Sequence, residues 1–397
     1  MKPINYRPTI FACFIGYVVQ ALTINFTPLL YIQFQTEYGL SVPQISVLIG
    51  VCFTVQLLTD ALAAKFSDKM NPRLTVVCAN ALAAVGIAGL NFLPRLLDPF
   101  TGLLIAIILS GAGSGLVEVM ISPIVEACPT KRKSAMMSLL HSFYCWGHAA
   151  VTLLSGLFFA TVGIGSWKTL ALLWALIPLT NAILFIFVPI ATPDTGKESE
   201  SGRSFIKTPI FWVLVAIMLC AGASEMAMGQ WASTFAELAL NDKALGDLFG
   251  PFLFAILMGT SRILYAKFST RISLSKTMLT GGILCLISYL IASLAPTPAI
   301  SLLGCALCGL AVGVMWPGGL STASGFLPHG GISMFALLAL AGDLGCLSGP
   351  TLVGALSEAV GGEIKFSFLF ASAFPLLLMA ALFYLRIYKK KVSQKSK

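Results

Sequence analysis

Ionisable side chains lie within long apolar stretches of this 397-residue chain at seven positions. The seven are Asp60, Glu118, His141, His148, Glu225, Arg262 and Asp343. A charge inside the hydrocarbon of a bilayer costs at least ~2.5–3.5 kcal/mol, so such residues face protein or water and commonly serve transport. Apolar surroundings also disfavour a charged carboxylate, which suits it to taking up a proton. We therefore predict that Glu118, Glu225 and Asp343 couple proton movement to solute binding.

Each of these three acids also has a structural alternative. Glu118 would then pair with a neighbouring hydroxyl or base, and Glu225 would be a hydrogen-bonded strut. Asp343 would be the partner of Arg262 or of a histidine. The sequence leaves these alternatives open.

A second set of residues has side chains suited to a hydroxylated solute. His141, Tyr144 and His148 are spaced i, i+3 and i+7, so they share one helix face. Amides can hydrogen-bond pairs of hydroxyls, and aromatic rings stack on the C–H face of a sugar. The predicted solute-binding residues are Gln20, Asn25, His141, Tyr144, Glu225, Gln230, Trp231 and Trp316. For the tryptophans, ordinary packing is the alternative. No third ligand has metal-site spacing, so we predict no metal and no cofactor.

The helix that carries Glu225 poses a geometric conflict. About 100° of rotation per residue puts Gln230 on a different face from Glu225 in a straight helix. We expect Gly229 to interrupt the helix between them.

Two charges of opposite sign lie near the inner ends of their apolar stretches. Asp60 and Arg262 are 202 residues apart. We predict a gating role for both, as a salt bridge between the two halves of the chain, with separate partners as the alternative.

The elements that must position these residues are membrane-spanning helices. The chain is 57% hydrophobic and only 10% charged, too little charge for a soluble surface. Apolar runs of roughly 20 residues are long enough to cross a bilayer as helices. The twelve predicted spans are about 9–33, 43–64, 74–94, 101–123, 135–160, 169–190, 208–232, 247–266, 276–295, 298–322, 332–357 and 365–386. The fold class is therefore an all-α membrane protein.

An internal repeat divides the chain into halves. The sequence AKFS occurs at residues 64–67 and again at 266–269, each time after an apolar run. Similar offsets relate Asn25 to Glu225, and Gly147 to Gly345. We predict an N-terminal six-helix bundle over 1–191, a cytoplasmic linker over 192–207 and a C-terminal six-helix bundle over 208–397. The two bundles are expected to be pseudo-symmetric, and such repeats usually move small solutes.

Charge placement predicts the orientation. The net charge of +9 collects in loops that lie on one side when both termini are cytoplasmic. We expect a multi-pass protein of the cell (inner) membrane whose basic tail, residues 389–391, contacts anionic lipid. This placement argues against nucleic acid as a partner.

These features resemble the major facilitator superfamily over the whole chain. That family carries the loop pattern GxLxDRxGRK after its second helix, where this chain reads AKFSDKMNPR over residues 64–73. The acid and bases are kept while both glycines are replaced. The resemblance implies that Asp68 and Arg73 belong to a gating loop, and that the protein is a monomer.

A more specific pattern lies in the fourth span. Residues 113–123, GSGLVEVMISP, are similar to the GxGxxExxxNP pattern of the fucose:proton symporter branch, with Ser122 in place of Asn. That branch has a proton-linked acid four residues before a proline in its first helix. Here that position, before Pro28, is Ile24.

The function that follows is secondary transport, in which a small polar solute, expected to be a sugar, moves by alternating access with proton coupling. One alternative is a proton-linked efflux antiporter for amphipathic compounds. Another is a solute sensor that does not transport. No nucleophile and base set or phosphate loop is visible, so we predict that the protein is not an enzyme.

Overall fold

The computed structural model of the protein describes residues 4–66, 69–191, 204–241, 243–359 and 364–395. Helices dominate these residues, and no strand occurs among them. The helices of the first half are α1 (Arg7–Asn25), α2 (Tyr31–Tyr38), α3 (Val42–Phe66), α4 (Pro72–Leu96), α5 (Pro99–Ala127), α6 (Lys133–Val162) and α7 (Trp167–Phe187). Those of the second half are α8 (Pro209–Gly229), α9 (Ala232–Leu240), α10 (Lys243–Phe268), α11 (Leu274–Leu294), α12 (Pro298–Val312), α13 (Met315–Phe326), α14 (Gly331–Ala359), α15 (Ile364–Ala371) and α16 (Ala373–Lys395).

Twelve helical segments in the described part of the chain are long and apolar enough to cross a membrane. They confirm the twelve predicted spans. Some spans contain two helices because the backbone breaks within them. Thr27–Leu30 forms a 3-10 turn between α1 and α2, where Pro28 supplies no N–H donor. The predicted interruption at Gly229 is also confirmed, since α8 ends there and α9 begins at Ala232.

Contacts between Cα atoms divide the chain into two compact units. Unit 1 comprises residues 1–130, 143–194 and 331–336, and unit 2 comprises residues 131–142, 195–330 and 337–397. Residues 192–203 of the predicted linker lie outside the described residues, so the predicted bundle boundaries stay a prediction. Ser204–Lys207 forms a 3-10 turn that leads into α8.

Glycines at equivalent places bring helices into close contact in both units. In unit 1, a Cβ added at Gly147 of α6 would lie 3.0 Å from Val18 Cα and from Ala21 Cβ of α1. In unit 2, a Cβ at Gly345 of α14 would lie 2.0 Å from the carbonyl oxygen of Leu219 in α8. The same pair of spans therefore crosses at a glycine in each repeat, as the sequence offsets predict.

The repeated AKFS sequence also keeps one local contact in both copies. The Lys65 ammonium lies 5.4 Å from the centre of the Phe66 ring, and the Lys267 ammonium lies 5.6 Å from that of Phe268. Cation–π contacts of this kind stabilise weakly at exposed sites. Both pairs occur where α3 and α10 end.

Candidate functional site

Glu118 lies in the C-terminal half of α5, just after two glycines that bring neighbouring helices close. A Cβ added at Gly113 would lie 2.6 Å from the carbonyl oxygen of Ala79 in α4. One added at Gly115 would lie 2.9 Å from Thr59 Cβ in α3. The glycines of the GxGxxE pattern therefore let two helices approach α5 one turn before Glu118. As a result only 7% of Glu118 is exposed.

Two glutamine amides converge on one oxygen of the Glu118 carboxylate. Gln20 Nε2 of α1 donates to Glu118 Oε2 at 2.6 Å, and Gln56 Nε2 of α3 donates to the same atom at 2.7 Å. Both glutamines are buried. Hydrogen bonds to a charged acceptor are about twice as strong as neutral ones, so the pair stabilises the carboxylate form. We call Gln20, Gln56 and Glu118 the Glu118 cluster.

One polar atom of this cluster has no partner in the described part of the chain. The side-chain carbonyl oxygen of Gln20, Oε1, is buried and accepts no hydrogen bond. Leaving a buried acceptor unpaired costs roughly 1–3 kcal/mol. Such an atom in a native structure marks a place where a ligand, a water molecule or a second conformation supplies the missing donor.

The hydrogen-bonded contact between α1 and α5 continues one turn further. Tyr17 Oη and Ser122 Oγ lie 2.9 Å apart and are both buried. Tyr17 precedes Gln20 by three residues, and Ser122 follows Glu118 by four, so each pair shares a helix face. The serine that replaces the asparagine of the family pattern thus retains a polar role.

Arg262 forms the centre of a second buried group, in unit 2. Its Nε donates to the carbonyl oxygen of Gly313 at 2.7 Å, and its Nη1 donates to the carbonyl oxygen of His141, also at 2.7 Å. Gly313 lies at the break between α12 and α13. Carbonyl groups at a helix end lack intrahelical partners and attract cations. Arg262 therefore holds together α6, α10 and the broken span.

Glu225 supplies the carboxylate of this second group. Its Oε2 lies 3.6 Å from Arg262 Nη2, longer than a direct hydrogen bond. The Arg262 side chain is 3% exposed and that of Glu225 is 13% exposed. Burial of a charge is tolerated only with such a partner, because an unpaired buried charge is strongly destabilising. We call Arg262, Glu225, His141 and Gly313 the Arg262 cluster.

The family model of the Major Facilitator Superfamily matches residues 11–330 and 248–397 of the chain. The chain belongs to the Major Facilitator Superfamily. It is accordingly a multi-pass membrane protein with the fold of a family of transporters, which are generally not enzymes.

Solved structures of other members share the superfamily fold. A crystal structure of FucP in the outward conformation is 15% identical, with a TM-score of 0.80 and coverage of 96% of this chain and 99% of that one. FucP is the fucose:proton symporter of E. coli. The proton:xylose symporter XylE, bound to 6-bromo-6-deoxy-D-glucose, is 14% identical with a TM-score of 0.80, over 96% and 95% of the two chains.

A third solved structure is that of the human organic anion transporter MFSD10. It is 18% identical, with a TM-score of 0.74 and coverage of 96% of this chain and 100% of that one. At these identities the likeness extends to the fold alone. It confirms the all-α fold expected from the sequence.

The superfamily fold places the predicted solute-binding residues in different surroundings. Gln20 joins the Glu118 cluster, while Glu225 and the backbone of His141 join the Arg262 cluster. Asn25 donates its amide to the carbonyl oxygen of its own helix at Ala21, at 2.8 Å. The predicted solute role of these residues stays a prediction.

The aromatic residues of the predicted set differ in their packing. Trp316 is buried, and its ring fills the space left by Gly342, where an added Cβ would lie 2.3 Å from it. Trp231 is half-buried, and its indole N–H has no hydrogen-bond partner among the described residues. Gln230 is exposed beside it, and Tyr144 is half-buried in α6. Trp231 therefore keeps a donor available for a ligand.

The predicted gating residues also lie in separate places. Arg73 donates from Nη1 to the carbonyl oxygens of Phe185 at 2.9 Å and Ile186 at 2.5 Å, so it caps the end of α7. Asp60 is fully buried in α3, one turn beyond Gln56. Asp68 lies outside the described residues, and the Asp60–Arg262 salt bridge stays a prediction.

Sequence reasoning missed Gln56 and Tyr17, which the fold brings to Glu118 and Ser122. A signal for Gln56 exists in the sequence, since an amide within an apolar run needs a buried partner. Asp343, the third predicted proton-coupling acid, is half-buried in α14 next to Gly342.

Proposed function

We propose that the protein is a secondary active transporter that moves a small polar solute, a sugar or similar polyol, by alternating access with proton coupling. Glu118 takes up and releases the proton in this proposal. Glu225 and Asp343 are further candidates for coupling, and Asp60, Asp68, Arg73 and Arg262 are candidates for gating. The predicted solute-binding residues supply donors and acceptors for hydroxyl groups.

The observation that carries the proposal is the burial of Glu118 with two amide donors on one of its oxygens. Placing a carboxylate on an intramembrane helix costs free energy, so such a residue commonly has a functional role. The amides stabilise the charged form and the apolar surroundings favour the neutral form, and these opposing influences suit a coupling residue. The names of the similar structures FucP and XylE add support for a proton and a sugar.

The test is solute-triggered proton movement in proteoliposomes, with a panel of hexoses, deoxyhexoses, amino sugars and organic acids. We expect one solute class to carry protons into the lumen with the parent protein. Glu118→Gln should abolish the proton signal while solute exchange without a gradient continues, because the amide cannot release a proton.

The matched control is Glu126→Gln, the same chemical change two turns along the same helix. Gradient-driven uptake that survives in Glu118→Gln would make the coupling assignment wrong. Tracer exchange without any proton signal in the parent would indicate a uniporter or another coupling ion. If the parent protein shows neither a proton signal nor tracer exchange, an efflux antiporter for lipophilic substrates is favoured. Solute binding without flux would favour a sensor.

We also propose that the protein lies in the inner membrane as a monomer with both termini in the cytoplasm. The collection of Lys and Arg in loops on one side supports the orientation, and the superfamily membership supports the monomer. Labelling of single cysteines placed near each terminus with an impermeant reagent in whole cells would test the orientation. Labelling from outside would contradict it.

A further inference from the structure

Gln20 differs from Gln56 in one respect that the proposed function does not use. Each donates its amide N–H to Glu118 Oε2, yet Gln20 also carries a buried carbonyl oxygen with no hydrogen-bond partner in the described part of the chain. The amide of Gln20 therefore holds an unused acceptor directly beside a carboxylate that can be protonated.

Protonation changes what Glu118 Oε2 can do. An ionised carboxylate oxygen only accepts hydrogen bonds, whereas a protonated one donates one bond and still accepts. With the proton on Oε2, two amide donors and one hydroxyl donor would meet at the same place. The new O–H then needs an acceptor, and the carbonyl oxygen of a neighbouring amide can supply it.

Gln20 already has that acceptor unpaired. A half turn of its terminal amide would place Oε1 on the Glu118 hydroxyl, while Gln56 Nε2 keeps its bond to the same oxygen. This rearrangement satisfies Oε1, which is unpaired in the ionised state, and it frees the two N–H donors of Gln20. No backbone movement is required, since only the last torsion of the side chain changes.

We propose that the side-chain amide of Gln20 turns over when Glu118 is protonated. Its oxygen Oε1 then accepts a hydrogen bond from the Glu118 hydroxyl, and its N–H groups become available to donate to the solute. This inference rests on the proposed function, because it takes Glu118 as the proton carrier. Gln20 contacts both Glu118 and the solute in this proposal, and Gln56 holds the Glu118 oxygen in both states. The proton-loaded protein would then prefer a solute with an acceptor oxygen facing Gln20.

Other titratable groups on the helices packed against α5 define what else could produce a pH response. They are Arg7, Cys13, Tyr17, Cys52, Asp60, Lys65, Arg73, Cys78 and Arg95. Of the three nearest in sequence to the glutamines, Tyr17 is hydrogen-bonded to Ser122, Cys52 is half-buried one turn before Gln56, and Asp60 lies one turn after it. Asp60→Asn therefore serves as the control for a response that arises elsewhere.

The experiment uses the solute of the panel above that gives the proton signal. It measures the half-saturating concentration of that solute between pH 5.5 and 8 in proteoliposome counterflow, for the parent, Gln20→Leu, Gln56→Leu and Asp60→Asn. Couplings between two ligands are typically about 5–150-fold, and we expect the parent to show a change in that range. Gln20→Leu should bind the solute more weakly and should lose most of this change. Gln56→Leu should move the midpoint to higher pH, because the carboxylate loses a donor, and should keep the size of the change.

A second measurement follows the glutamine side chains directly in the parent protein. Infrared difference spectra with 13C-labelled glutamine should show a side-chain carbonyl band that moves to lower frequency when the parent is acidified, as Oε1 gains a hydrogen bond. Glu118→Gln should lack this pH-dependent band shift.

The outcomes separate the two proposals. An undiminished pH change in Gln20→Leu, or no glutamine carbonyl shift in the parent, overturns the role of Gln20. If the solute affinity and the transport rate of the parent protein do not change with pH, the proposed function itself is wrong. Loss of the pH change in Asp60→Asn but not in Gln20→Leu would assign the response to Asp60.

Discussion

The Glu118 cluster and the Arg262 cluster occupy related frameworks but use different chemistry. Gly115 lets Gln56 and Thr59 of α3 approach α5 in unit 1, and Gly313 lets Met258 and Ser261 of α10 approach the broken span in unit 2. These contacts are related by offsets of 198 for the glycines and 202 for their neighbours. The helix crossing is therefore repeated.

The same offsets pair polar residues of unit 1 with apolar residues of unit 2. Glu118 corresponds to Trp316, and Gln56 corresponds to Met258. Unit 1 has a carboxylate held by neutral amides, whereas unit 2 has an aromatic ring packed on Gly342 and a guanidinium nearby. The comparison shows that the repeat preserves backbone crossings while the buried polar groups differ. We expect the first cluster to respond to protons and the second to contribute strongly to stability as well.

The largest expected effect is at Arg262. Arg262→Met should destabilise the protein by about 3–5 kcal/mol, because Glu225 and two carbonyl groups would lose their cation. Denaturant unfolding in detergent would measure it, with the exposed Arg271→Met as the control. Adding Glu225→Gln should recover part of the loss. Additive losses in the double variant would mean that the two side chains do not interact.

A smaller effect should distinguish the repeated glycines. Gly345→Ala should cost about 1–3 kcal/mol or more, since the new methyl group would meet the backbone oxygen of Leu219. Gly147→Ala should cost less, because its nearest neighbours lie 3.0 Å away. Thermal unfolding in detergent would rank the two. Gly354→Ala, which has no neighbour within 4 Å, is the control. Equal losses at all three glycines would argue against close crossing as the cause.

The smallest effect is expected at Arg73. Arg73→Ala removes the cation that caps α7 and should cost roughly 0.3–1 kcal/mol, as for charges at helix ends. Lys276→Ala, near the start of α11 in the second repeat, is the control, and its side chain is exposed. Hydrogen exchange of the last turn of α7 would report the change. Unaltered exchange there would show that the bonds to Phe185 and Ile186 contribute nothing measurable.

The sequence predicted the spans and the break at Gly229 because hydropathy and glycine placement act locally. It also predicted that Glu118 would be buried, since a carboxylate in an apolar run has few alternatives. It did not predict that Gln20 would contact Glu118, or that Gln56 would share the same oxygen. These contacts depend on how α1, α3 and α5 rotate about their axes, which small packing residues decide and hydropathy does not reveal.

The same limit applies to Arg262 and Trp316. The offset of 202 suggests Asp60 as a partner for Arg262, and that salt bridge stays a prediction. The sequence did not predict that Arg262 would contact a carbonyl group of a broken span, because the position of the break must be known first. Trp316 was a candidate for stacking on solute, and its packing against Gly342 depends on a residue 26 positions away.

The glycine crossings at Gly147 and Gly345 also bear on the history of the chain. Two copies of one crossing within a single polypeptide are the expected remains of a gene duplication. An ancestor of half this length would have paired with a second copy of itself, and its buried polar groups would have been identical on both sides. Fusion of the copies released that constraint, so that the two copies could differ, with a carboxylate at one position and a tryptophan at its equivalent.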